Sequence, residues 1–397
     1  MAQRAQPVRG MRDFVPPQAE LRRQVANRIL DTYAAYGFEV IETPALEDLE
    51  VLLGSQAGEN EKMIFKVLRR GARLEEELAR GGELADLGLR FDLTVPLARF
   101  VANHLNELPM PLKAAHVAPV WRAERPQRGR YREFVQCDID IVGEASIAAE
   151  VELCGAMLDA LGKVGIGGCT VRLNDRRLLR WAVEGHLGPQ QDPAPVYIAL
   201  DRMDRVGADE VAAELAGLGH DPAAVGRLVD QLGSGEITGP EDQVGELKKT
   251  LAALGAQGYS ARFDPTLVRG IGYYTGQIFE ISHPDVGYSL AGGGRYDGMT
   301  ARFGAPPLPM CGFSIGFERV CDLIDPAVFT TDQHRVAVLC ASDDELLRTL
   351  AVAQAKRARD PGVAFSVLRR ARNVHKQHDD LTKLGYAEIL DGKGFIV

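Results

Sequence analysis

Two apolar strand candidates, His116–Arg122 and Phe134–Val142, flank a loop that packs five arginines between Trp121 and Phe134. Successive strand residues face opposite ways, so Val135, Cys137, Ile139 and Ile141 share one face of the second strand, and Gln136, Asp138 and Asp140 share the other. Such a chain predicts a long hairpin with one apolar face for a core. A face of Gln, Asp and Asp in a mixed domain must meet water, a ligand or a partner. The loop alone reads equally as a solvated surface. With the polar strand face behind it, the pair points to a binding site.

The rest of the chain supplies a frame for that hairpin. Leu21, Val25, Ile29 and Tyr33 recur every four residues after Pro16-Pro17, which predicts an amphipathic helix ended by Gly37. Phe38–Ile41 follows as a short strand stopped by Pro44. Between about Cys169 and Ser260 the pattern is helical and carries no site motif. Strands and glycine turns return from Leu267 to Arg319. After a junction at Asp325–Gln333, strands and helices alternate to Leu390, which predicts a small α/β domain with a largely parallel sheet.

Three further islands accompany the arginine loop. Leu267-Val-Arg-Gly-Ile-Gly-Tyr-Tyr-Thr-Gly276 brings an arginine and two tyrosines to a glycine-hinged segment. Ala291-Gly-Gly-Gly-Arg-Tyr-Asp-Gly298 reads as a tight turn whose glycines supply positive φ, or as part of a site. Gly312-Phe-Ser-Ile-Gly-Phe-Glu-Arg319 places an arginine in the first turn of a helix. A Walker-type phosphate loop, a Gly-x-Ser-x-Gly elbow and a paired His/Cys nucleophile are all missing from the sequence. What remains is arginine with carboxylates and stackable aromatics, a set suited to a nucleoside triphosphate reacting with an acid.

Composition narrows the class. A length of 397 residues predicts two or three domains, and 46% hydrophobic with 25% charged residues excludes wholesale disorder. No apolar run approaches the roughly 18 residues that span a bilayer. Met1–Pro17 carries three arginines and no apolar core, so no secretory signal is read there, and a cytoplasmic protein away from membranes is expected. The six cysteines lack zinc or Cys-x-x-Cys spacing, which predicts free thiols and no metal site. A net charge of −9 argues against coating nucleic acid through bulk electrostatics. From Arg335 onward, however, 11 Lys and Arg stand against 8 Asp and Glu, and Arg369, Arg370, Arg372 and Lys376 cluster there.

In their order and spacing the islands resemble the signature motifs of class II aminoacyl-tRNA synthetases, and of the histidyl-tRNA synthetase family in particular. Tyr36-Gly-Phe-Glu-Val-Ile-Glu-Thr-Pro44 is similar to motif 1, which builds that family's dimer interface. Arg122-Ala-Glu124 with Arg130 and Phe134 resembles motif 2, Gly312–Arg319 resembles motif 3, and the two glycine islands resemble the histidine-specific motifs.

The resemblance implies an α+β fold of the class II synthetase type: a mixed, mainly antiparallel, six-stranded sheet flanked by helices, with a helical insertion and a small C-terminal α/β domain. It divides the chain into 1–168 (catalytic domain, motifs 1 and 2), 169–260 (helical insertion), 261–325 (catalytic domain, motif 3) and 334–397 (a shortened anticodon-binding-like domain). It also implies activation of histidine by ATP with Mg²⁺, transfer to tRNA(His), and a homodimer.

Roles follow from the same resemblance. Arg122 would hold the α-phosphate and the substrate carboxylate, Glu124 the adenine amino group, and Phe134 one adenine face. Arg319 would cover the other face and reach the γ-phosphate, and Arg130 would meet the β- and γ-phosphates. Arg269 would stabilise charge at the α-phosphate. Asp92 and Thr94 would cradle the substrate ammonium, with Gln136, Asp140, Tyr273, Tyr274 and Tyr296 forming the histidine pocket.

Two other readings fit part of the chain. One is a paralogue that adenylates an amino acid for an acceptor other than tRNA, to which Gly272, where the family usually has Asp, and the short last domain would belong. The other is the histidine-sensing regulatory subunit of ATP phosphoribosyltransferase. Subunits of that kind typically lose the arginines, whereas Arg122, Arg130, Arg269 and Arg319 are present here.

Overall fold

The computed structural model describes residues 5–54, 61–126, 129–269, 272–329 and 334–396. Arg128 of the arginine loop, Gly270 and Ile271 of the first glycine island, residues 330–333 of the junction and Val397 lie outside the described residues. The chain divides into two compact units, Met1–Phe14 with Arg22–Ile324, and Val15–Leu21 with Asp325–Val397.

In chain order the first unit contains strands β1 (Glu39–Val40), β2 (Leu46–Asp48), β3 (Lys66–Leu68), β4 (Ala85–Leu89), β5 (Leu112–Trp121), β6 (Glu133–Val142), β7 (Thr170–Asp175), β8 (Ala261–Phe263), β9 (Gln277–Ser282), β10 (Ala291–Arg295) and β11 (Met310–Gly316). Eight of them form one sheet in the order β1-β5-β6-β11-β10-β9-β7-β8. From β5 to β7 every neighbour is antiparallel, and only the short edges β1 and β8 pair in parallel. The sheet therefore has eight strands where six were implied. The two edge strands run only two and three residues, too short to stand out as patterns.

One face of this sheet is closed by apolar packing. Val25, Ile29 and Tyr33 of the helix Pro16–Ala35 are fully buried, as are Cys137 and Ile139 on the apolar face of β6. The Tyr33 hydroxyl lies 3.4 Å from the Cys137 carbonyl, which ties the helix to that strand. Gly37, at φ 81°, ends this region with a backbone conformation that side chains disfavour.

The segment expected as a helical insertion from 169 begins differently. Thr170–Asp175 is β7, which pairs with β9 over six residues in the large sheet. Its Asn174 and Asp175 are buried polar residues, and they mask the alternation of Val171 and Leu173. Helices follow from Arg176 to Ala256, and those up to Gly233 pack around their own core of Leu179, Val183, Tyr197, Val211, Leu215 and Leu228. A second small sheet, β2-β4-β3, is not evident from the sequence, since its strands span only three to five residues.

The second unit carries β12 (His334–Cys340), β13 (Val363–Arg369) and β14 (Glu388–Asp391) in the order β13-β12-β14, all parallel. β12 is central and packs Val336 and Val338 on one side and Ala337 and Leu339 on the other, the mark of a parallel sheet covered on both faces.

Candidate active site

Strand register carries the polar face of β6 across the sheet. One row runs His116, Asp138, Ser314, Gly292, Glu280 and Arg172, and the next runs Ala114, Asp140, Gly312, Gly294, Ile278 and Asn174. The glycines in these rows leave room above the sheet. A Cβ at Gly292 would run into the Arg269 guanidinium, and one at Gly312 into the Asp140 carboxylate. Gly292–Gly294 therefore sit in a strand with ordinary φ, not in the positive-φ turn their sequence suggests.

Over this floor lies a cleft of about 590 Å³. Every residue that the motifs implied borders it: Arg122, Glu124, Arg130 and Phe134 from the hairpin, Asp92 and Thr94 after β4, Gln136 and Asp140 on β6, Arg269, Tyr273 and Tyr274, Tyr296 after β10, and Arg319 after β11. Sequence reasoning does not find Glu280, Arg172, Asp201, Arg205 and Tyr288, which also line it. Each lies in a stretch without motif spacing, and the sheet register (Glu280, Arg172), the helical module (Asp201, Arg205) or the β9–β10 connection (Tyr288) brings it here.

The arginines are held from behind. Arg122 donates from Nε to the Phe91 carbonyl at 3.0 Å and lies 5.0 Å from the Phe134 ring centroid. Arg319 donates to the Ser289 carbonyl at 2.7 Å. Burial, and then Arg130, depresses its pKa, so an anion in the cleft would restore its charge balance. Arg269 pairs with Glu280 at 2.9 Å, and Arg172 lies 3.8 Å from the same carboxylate. Arg130 is half-exposed, 4.0 Å from Glu124. Beneath Arg319, Glu318 is buried and held by Arg12 and by Arg22, the latter at 2.6 Å, fixing the start of that helix.

Other groups that line the cleft are acidic and buried. Asp92 accepts from the Val95 amide at 3.2 Å through one oxygen, and its Oδ2 has no partner. Burial pushes its pKa up to about 6. Asp140 accepts a hydrogen bond from the Tyr296 hydroxyl, and burial pushes it up to about 7. Asp138 is pushed well up by burial and then by Asp140. The Gln136 Oε1 is buried without a partner. Tyr273 packs against Tyr274 and Tyr296 with centroids 4.9 and 5.8 Å away, and its hydroxyl reaches Thr94 Oγ1 at 3.4 Å. Unpartnered acceptors beside strained carboxylates favour a ligand that brings N–H groups and positive charge.

Among the described residues no group of three or more His, Cys, Asp or Glu side chains could hold a metal ion. Among them, too, no helix is long and apolar enough to cross a membrane.

The sequence model of the family described as Histidyl-tRNA synthetase matches residues 10–320. The histidine--tRNA ligase of Leifsonia xyli subsp. xyli is 48% identical over 351 residues, 82% of this chain and 81% of that protein. That of Aeropyrum pernix is 39% identical over 350 residues, 84% and 78% of the two. Among solved structures, the histidyl-tRNA synthetase of Nostoc sp. PCC 7120 aligns with a TM-score of 0.74 at 26% identity, over 97% of this chain and 90% of that one. An ATP phosphoribosyltransferase regulatory subunit/histidyl-tRNA synthetase from Bacillus halodurans C aligns at 0.77 over 98% and 99%, but at 23% identity this is a likeness of fold alone. The fold admits enzyme and regulator alike, and what separates them is sequence: with a family match over 10–320 and nearly half identity to a ligase over four fifths of its length, the chain belongs to the histidyl-tRNA synthetase family.

Proposed function

We infer that the protein is a histidine--tRNA ligase: it joins histidine to AMP at the expense of ATP, and then passes the histidyl group to tRNA(His). The observation that carries this is one cleft lined both by fixed arginines and by buried, unpartnered acceptors. A regulator that only senses histidine has no use for those arginines.

The substrate carboxylate is ionised near neutrality, so its attack on the α-phosphorus needs no general base. An oxygen–phosphorus bond forms, the bond to the β-phosphate oxygen breaks, and pyrophosphate leaves. The obstacle is bringing an anion onto a polyanion, and preset guanidinium groups offset that repulsion without reorganising. In this reading Arg122 holds the α-phosphate and the carboxylate, and Arg269 leaves Glu280 for the α-phosphate. Arg130 and Arg319 take the outer phosphates, while Glu124, Phe134 and Arg319 hold adenine. Asp92 and Thr94 take the ammonium, and Gln136, Asp140, Tyr273, Tyr274 and Tyr296 enclose the imidazole. A buried carboxylate facing its N–H rejects an apolar side chain, which would leave that group unpaired.

Mg²⁺ belongs with the nucleotide. Without a cage of protein ligands among the described residues, it fits a cation held mainly by phosphate oxygens and water. Glu280 is one lining carboxylate that would face such a cation, shared with Arg172, once Arg269 turns to phosphate. Self-association as a homodimer is supported by β1, an edge strand in the segment similar to motif 1 whose Val40 is 62% exposed. Cytoplasmic residence follows from the reaction, since tRNA is charged where it is used.

Histidine-dependent ATP–pyrophosphate exchange, followed in the same preparation by charging of tRNA(His), tests the reading. Exchange without charging would move the acceptor away from tRNA, and histidine binding without exchange would return the chain to the regulatory class. Light scattering at micromolar concentration tests the dimer, which a monomer would exclude.

A further inference from the structure

Arg269 is the sole non-glycine residue with positive φ among the described residues, at 58°. For a long side chain this left-handed conformation is disfavoured, and it persists only where the surroundings over-determine it. The surroundings are those of the helical module. Val268, 1% exposed, packs into the module's own apolar core with Leu179, Val183 and Tyr197. The peptide unit joining Val268 to Arg269 is held through its carbonyl, which accepts from Arg176 Nη1 at 3.2 Å, while the Asp201 carboxylate faces its amide. One residue back, the Leu267 carbonyl accepts from Asn174 Nδ2 at 2.9 Å.

Arg176 is itself buried and costly. It opens the helix Arg176–Leu187, stacks its guanidinium 4.0 Å from the Tyr197 ring centroid, and is largely shut off from water. Asp201 acts on its charge from a distance, but among the described residues no carboxylate forms an ion pair with it, so its burial needs another reason. The peptide plane it fixes is the one from which the φ rotation of Arg269 begins.

We propose that Arg176 is a positioning residue for Arg269, and that with Asp201 and Val268 it makes the helical module the mount that aims this arginine into the cleft. The module then does more than extend the enzyme's surface: whatever loosens its core loosens Arg269. The inference rests on the proposed role of Arg269 at the α-phosphate.

The test is a double-mutant cycle on Arg176→Ala and Arg269→Ala, read by ATP–pyrophosphate exchange, with ATP and histidine binding measured on each variant. Misaiming a group that acts in the transition state should lower kcat by about 10–100-fold and leave both KM values within about twofold. Arg176→Lys, which keeps a donor, should recover part of the loss. On the Arg269→Ala background the Arg176→Ala change should add less than about threefold, because there is nothing left to aim. An equal loss on both backgrounds, or a loss confined to KM, overturns the proposal. If Arg176→Ala does not fold, Val268→Ala takes its place in the cycle with the same expectations. If Arg269→Ala alone leaves exchange intact, the role assigned to Arg269 fails. If it cripples exchange and Arg176→Ala does not, only the mount fails.

Discussion

Asp138 stands on the Nε2 side of Gln136, with its two oxygens 3.3 and 3.4 Å away, and so decides which end of that amide faces the cleft. Ser314 Oγ holds the same nitrogen at 2.9 Å. When ionised, Asp138 only accepts, so the Gln136 Nε2 turns to it and the Oε1 is left buried and open to a substrate N–H.

Removing that acceptor lets the amide turn over. Asp138→Leu should raise the KM for histidine by about 10–100-fold, the cost of leaving one buried substrate donor unpaired, with the KM for ATP nearly unchanged. Adding Gln136→Glu should recover histidine binding, because a carboxylate presents an acceptor whichever way it turns and the pair of changes conserves net charge. Exchange kinetics on the single and double variants check this, and a double variant no better than the single would reject it.

Asp140 couples substrate binding to protons. With burial holding its pKa at about 7 and that of Asp92 at about 6, both carboxyls are partly protonated in the empty cleft between about pH 6 and 7. A bound ammonium and imidazole N–H favour the ionised forms, so histidine binding should release protons and tighten as pH rises through about 6 to 7. Asp140→Asn should bind histidine more weakly and release fewer protons than the parent at the same pH. Titration calorimetry in two buffers of different ionisation heat reads this, and the substrate's own ionisation cancels in the comparison. Stability moves the other way. A carboxyl whose pKa is raised by folding contributes fully below its unfolded value, and that contribution is lost as pH rises through the folded one. Without ligand, Asp140→Asn should therefore melt above the parent at pH 8, keep only part of that gain at pH 5, and lose it below about pH 4.

Arg269→Ala should reduce the rate of adenylate formation by about 10²–10³ while ATP affinity changes little. Charge spreads onto the α-phosphate oxygens mainly during displacement, so a guanidinium aimed there acts chiefly on the transition state. Its ground-state partner is Glu280, which remains paired with Arg172 when Arg269 is removed. Near-parental exchange by this variant would remove Arg269 from the mechanism.

The hairpin is legible in the sequence because both its signals are local: alternation over β6 sets the two faces, and five arginines mark the loop. The helix Pro16–Ala35 and the α/β order of the second unit are legible for the same reason, since periodicity and turn residues act within a few positions. Glu280 is not legible. It lies between Phe279 and Ile281, and only pairing with Gly292 and Arg172, at separations no local pattern records, puts it on the cleft floor. The run Gly292–Gly294 reads as a turn because glycine permits both a positive φ and a close approach, and the sequence alone does not distinguish them. Arg176 and Asp201 escape sequence reasoning on similar grounds. Their partners are backbone atoms of a segment some 70 to 90 residues away, and backbone partners leave no residue-type signature.

The basic cluster of the second unit divides once its ion pairs are known. Arg369 is paired with Asp343 and Arg370 with Asp391, whereas Arg372 and Lys376 are exposed at the start of the helix Val374–Lys383. A paired guanidinium must give up its carboxylate before it meets a phosphate, so the exposed pair should contribute more to tRNA affinity. Arg372→Glu with Lys376→Glu should depress charging and leave ATP–pyrophosphate exchange unchanged, because activation needs only the first unit. For every phosphate that no longer meets a cation, the salt dependence of tRNA binding should flatten by about 0.7 to 0.9 in the log–log slope. Arg369→Gln with Arg370→Gln should have the smaller effect on that slope. Binding measured across a salt series decides between the pairs, and an unchanged slope in the Arg372 and Lys376 variant would take this surface out of tRNA recognition.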